Sequence, residues 1–100
     1  ITEEVYNQAD DKSVINECLI LKEEEYRLAF NELNIKYIFA PNIKSMRGDM
    51  FEFNDQLLEA YAPNVVKMDR SVFEYCSKLE HVNFPLLESI STRTFTRCDS

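Results

Sequence analysis

From Ile35 onward the apolar positions of the chain recur in phase. Pro41, Pro63 and Pro85 lie 22 residues apart, and so do Phe51, Phe73 and Phe95. Ile43, Val65 and Leu87 keep the same interval, as do Met46, Met68 and Ile90. A fixed period of about 20 to 50 residues marks stacked repeats, each too small to bury its own apolar face. Three units follow, 35–56, 57–78 and 79–100. Each opens on an apolar trio: Ile35, Ile38, Ala40; Leu57, Ala60, Ala62; Leu79, Val82, Phe84. The last two of each trio are alternate residues, the period of a strand with one face inward. The proline that comes next lacks an amide hydrogen and ends the ladder. The wider spacing from Met46 to Phe51 and its counterparts suits a return by a tight turn or a short 3₁₀ or helical piece.

Residues 1–34 do not share that period. Residues 1–13 read as a polar lead-in, with a short helix across Glu3–Ala9 and Asp10-Asp11 as a breaker. The run from Val14 to Leu21 suits a short buried strand. Lys22 to Asn34 then changes rhythm: Tyr26, Ala29, Phe30 and Leu33 fall at i, i+3, i+4 and i+7, one face of a helix. Glu23, Glu24, Arg27 and Glu32 occupy the other face, with the first two where the helix dipole favours acids. This spacing predicts a strand–helix cap over 1–34, covering one end of the stack.

Charge separates the same two regions. Residues 1–33 hold nine acids against Lys12, Lys22 and Arg27, six of the seven net negative charges of the chain. That balance argues against nucleic acid as a partner. No apolar run is long enough to span a bilayer, so no transmembrane segment is predicted in the chain. Chemistry-bearing patterns are scarce. Gly48 is the single glycine, whereas a phosphate-cradling loop or nucleophile elbow needs more. His81 is the single histidine and has no nucleophile motif to serve. Cys18, Cys76 and Cys98 lack zinc-ligand spacing. No enzyme activity, cofactor or metal is therefore expected. Cys76 and Cys98 share a repeat phase, which leaves two readings: a disulfide between coils, or a pair of buried reduced core residues.

The units have the form L-x-x-V-x-F-P-x-L-x-x-I-x-x-x-x-F-x-x-C, most clearly from Leu79 to Phe84-Pro85 and on to Phe95-Thr96-Arg97-Cys98. They resemble the leucine-rich repeats of the BspA-like (Treponema pallidum type) family. The first unit departs from the pattern, with Asn54 where the others have Cys76 and Cys98. The Gly-x-x-Ala-Phe of many such returns is replaced by Asp49-Met50-Phe51, Ser71-Val72-Phe73 and Arg93-Thr94-Phe95. The resemblance implies an α/β leucine-rich repeat solenoid: strands on a concave face, turn, 3₁₀ or short-helix returns, and the cap at the N-terminal end. It also implies that the strand face binds a protein, with adhesion or host contact at a cell surface or after secretion as a common role. On that face Tyr37, Glu59 and His81 would form one row, and Phe39, Tyr61 and Asn83 the next; these six are the candidate partner-binding residues. The competing expectation is that Tyr37 and Phe39 pack beneath the helix over 22–33. The third unit closes at Ser100 without a cap. That predicts continuation into further repeats, or self-association through this edge. The alternative function is a structural spacer or assembly element packing against sister subunits.

Overall fold

The computed structural model describes residues 2–90, 93–96 and 98. A six-residue helix, α1 (Glu3–Gln8), opens the chain, with Thr2 Oγ1 accepting from the Val5 amide as its N-cap. A hairpin of β1 (Ser13–Ile15) and β2 (Cys18–Ile20) follows. Its two-residue loop, Asn16-Glu17, holds φ of 51° and 66°. Paired left-handed residues match the twist of the flanking strands. All later pairings are parallel, each strand with the preceding one of its own sheet. β3 (Tyr37–Phe39), β5 (Glu59–Tyr61) and β7 (His81–Asn83) extend a five-stranded sheet in the order β1-β2-β3-β5-β7. On the return side β4 (Ser45–Met46), β6 (Lys67–Met68) and β8 (Ser89–Ile90) pair into a second, three-stranded sheet. The result is a β-solenoid of about three regular turns, mostly strand and loop.

The core lies between the two sheets. Ile38 and Ala60 point inward from their strands, Met46 and Met68 from the opposite side, and Ile35, Leu57, Ala40 and Ala62 fill the corners. At the return, Phe30, Phe51, Phe73 and Phe95 form a column of rings with successive centroids 5.9, 5.5 and 5.7 Å apart. Each return passes a left-handed residue two positions before its phenylalanine: Asp49, Ser71 and Arg93 at φ 63°, 60° and 63°. That conformation costs an L-residue about 1–2 kcal/mol. Here the Asp49 amide bonds the Arg70 carbonyl at 2.9 Å, tying the turn to the next coil.

The helix expected over Lys22–Asn34 is absent. These residues form a shortened coil of the solenoid. Leu19 pairs with Ile38 only 19 residues later, whereas Ile38 pairs with Ala60 at the regular 22. The Lys44 amide bonds the Glu24 carbonyl as Val66 bonds Lys44 and Glu88 bonds Val66, all at 2.8–2.9 Å. Phe30 bonds the Met50 carbonyl at 2.7 Å, as Phe51 bonds Val72 at 2.9 Å. The amides thus bond across coils instead of along a helix. Tyr26 and Phe30 enter the core, but Ala29, on the same helical face, is exposed. Three residues shorter than the others, this coil is out of phase with them, and its inward residues fall at helix-like spacing.

Side chains tie the irregular end to the regular one. Asn54 donates to the carbonyls of Phe30 (2.8 Å) and Phe51 (2.9 Å), and its Oδ1 accepts from Leu33 at 2.7 Å. A thiol lacks the amide to do this: in the same phase Cys76 donates to the Phe51 carbonyl at 3.2 Å, and Cys98 to that of Phe73 at 3.0 Å. The cysteines are unbridged thiols, and burial pushes that of Cys76 up to about 12. At the hairpin, Asp11 Oδ1 accepts from the Tyr26 hydroxyl at 2.5 Å and from the Lys22 amide at 2.7 Å. Burial alone would raise the Asp11 carboxyl, but these hydrogen bonds outweigh it and hold it below its usual range. Tyr26 is pushed well upward, by burial first and by Asp11 second.

Candidate functional site

The outward positions of the sheet fall into two ladders. Cys18, Tyr37, Glu59 and His81 stand side by side in one; Ile20, Phe39, Tyr61 and Asn83 in the other. Parallel pairing at an unbroken register produces this, because one-residue slips would exchange the inner and outer faces. Neighbours in a ladder are about 4.8 Å apart at the backbone, so their side chains touch or share a ligand.

The two ladders meet different surroundings. Tyr37 and Tyr61 are 37% and 38% exposed. Phe39 is half-buried, but not by residues 22–33: α1 reaches across the sheet to it. The Tyr6 ring meets Phe39 edge-on at 5.4 Å, and Phe39 in turn stacks on Tyr61 at 5.1 Å with an 11° interplanar angle. Tyr6 is fixed from two further sides. Lys22 Nζ sits 4.8 Å from its ring centroid, and Asn42 Nδ2 donates to its hydroxyl at 3.3 Å. With Ala9, Cys18, Ile20 and Ile15, this makes a small apolar cluster separate from the main core.

Between α1 and the sheet lies a cleft of about 490 Å³. One wall is helical, Thr2 and Val5. The hairpin closes one end with Ile15 and Asn16. The sheet supplies Tyr37, Phe39, Glu59 and Tyr61. The structure therefore brings four of the six candidate residues into one concavity. His81 and Asn83 lie outside it, exposed on β7. Thr2, Val5, Ile15 and Asn16 were not among the candidates. The one signal that could have found them was the Asn16-Glu17 turn, which folds the hairpin back beside the repeats. Among the described residues no group of His, Cys, Asp or Glu is arranged to hold a metal, and no helix is long and apolar enough to cross a membrane.

Short parallel strands at a constant interval, joined by irregular returns around a phenylalanine column, define a solenoid of the leucine-rich repeat class. The family model described as "BspA type Leucine rich repeat region (6 copies)" matches residues 22–100. The chain belongs to that family. The match begins within the shortened coil, in keeping with its place in the solenoid. No curated protein and no solved structure matches the chain. Leucine-rich repeat modules of this kind are typically non-enzymatic binding or structural domains.

Proposed function

We propose that this chain is a protein-binding module that holds its partner on the outer face of the five-stranded sheet, at Tyr37, Glu59 and Tyr61. The observation that carries this reading is the pair of exposed tyrosines lining a preformed cleft beside the half-buried Phe39. Aromatic residues are enriched at the centres of protein interfaces, where they bury much area at little entropic cost. The cleft volume also lies within the range of about 300–1,000 Å³ usual for ligand pockets. Adhesion or host contact, at a cell surface or after secretion, is the setting we propose from the family resemblance.

Peptides selected against the chain from a random display library test the reading. Tyr37→Ala with Tyr61→Ala should abolish binding of the selected peptides while the circular dichroism spectrum stays unchanged. Phe39 is left intact because it anchors Tyr6. Peptides that bind the double variant as well as the parent chain would remove the sheet face as the site.

A further inference from the structure

Resting on the sheet-face reading, we infer that the cleft between α1 and the sheet receives a cationic side chain, arginine or lysine, from the partner protein. Glu59 is its counter-ion, and Tyr37 and Tyr61 are its aromatic walls.

The charge distribution carries this first. Among the described residues Glu59 is the only charged one lining the cleft. Among the described residues it has no ion-pair partner, whereas Glu17, Glu24 and Glu74 are paired with Lys36, Lys44 and Arg93 at 3.4–3.6 Å. Lys36, the basic residue next to Tyr37, is thus already engaged by Glu17. The cleft presents one uncompensated carboxylate against apolar and aromatic walls, in a chain of net charge −7. A neutral apolar side chain entering there would desolvate Glu59 without replacing its lost hydration. An acidic one would be repelled, so the site discriminates as well as attracts.

Geometry agrees. Tyr37 is Glu59's neighbour across the ladder, and Tyr61 lies two residues along the same face of β5. These steps are about 4.8 Å and 6.8 Å. A guanidinium or ammonium paired with Glu59 then lies beside the Tyr37 ring, and cation–π attraction reaches to about 6 Å; Tyr61, stacked on Phe39, walls the site with its edge. The chain already uses this contact: Lys22 sits 4.8 Å from the Tyr6 centroid and Lys12 5.7 Å from that of Tyr26. Among the described residues no basic side chain lines the cleft, so the cation comes from the partner.

The test uses the whole chain, isotope-labelled for amide NMR, and three short acetylated, amidated peptides. They differ at one central residue: arginine, its neutral isostere citrulline, or norleucine. The arginine peptide should shift amides of β3 and β5 and bind at least about fivefold more tightly than the other two. Glu59→Gln should reduce it to the citrulline level. Glu80→Gln, an exposed carboxylate outside the cleft, should leave it unchanged. Equal binding of citrulline or norleucine overturns the inference, as does indifference to Glu59→Gln. Absence of shifts on β3 and β5 overturns it too. In each of those cases the sheet-face reading still stands if library peptides depend on Tyr37 and Tyr61, and falls with it if they do not.

Discussion

The two ends of the five-stranded sheet carry related residues in opposite circumstances. At the N-terminal end, Leu19 and Ile38 on β2 and β3 are fully enclosed by the hairpin and the shortened coil. At the other end Val82, in the same inward phase on β7, is 47% exposed. The side chains differ little in chemistry. Burial here is a property of having a neighbouring coil, because each repeat supplies only half of the core it needs. The N-terminal end is also where irregular elements gather. The α1 helix and the Asn16-Glu17 turn lie against the sheet there and build the cleft, and the Asp11–Tyr26 contact ties the hairpin to the shortened coil.

The sharpest way to break this comparison is within the phenylalanine column. Phe73 is fully buried between Phe51 and Phe95, whereas Phe95 is only partly enclosed. Phe73→Ala should cost about 3–5 kcal/mol in denaturant unfolding, and Phe95→Ala less than half as much. Equal costs would mean that the last coil is as well packed as the middle ones.

Next in size is Asp11. Asp11→Ala removes hydrogen bonds to a charged acceptor and should cost about 1.5–3 kcal/mol at neutral pH. The effect is tied to pH. The Asp11 carboxyl is depressed in the folded state, so its contribution is complete above the ordinary carboxylate pKa of 3.8 and is lost as pH falls through the lower folded value. Amides of β1 and β2 should therefore lose hydrogen-exchange protection in acid before those of β5. If they retain it until global unfolding, the contact is not what holds the hairpin.

The smallest effect on stability is expected at Val82. Val82→Lys should change the free energy of denaturant unfolding by no more than about 0.5 kcal/mol, as for other exposed positions. A larger loss would mean that β7 is enclosed like β3 and β5.

The regular coils were legible because their 22-residue interval places equivalent residues in equivalent environments. Pro41, Pro63 and Pro85 end strands, and Ile38 and Ala60 point inward, as alternation requires. The helix expected over Lys22–Asn34 failed for an identifiable reason. Tyr26, Phe30 and Leu33 satisfy a helical period, but backbone hydrogen bonds follow the partner that tertiary packing supplies, and coils on this side offered amides and carbonyls of their own. The site was legible in part. Tyr37, Phe39, Glu59 and Tyr61 could be placed on two ladders from their phase alone. That α1, and not residues 22–33, would lie against Phe39 could not be read, since nothing in the spacing of Thr2, Val5 and Tyr6 specifies which surface they approach.

Sequence alone was enough to establish the repeat, the inward and outward faces of its strands and the acidic bias of the first third. These are local or periodic properties, recorded in residue type and interval. Tertiary structure decided the rest: the shortened coil, the place of α1 and the hairpin, and the cleft beside Glu59. Each depends on which distant segment meets an open face. That choice is set by the fit of whole surfaces, a quantity no single stretch of the chain contains.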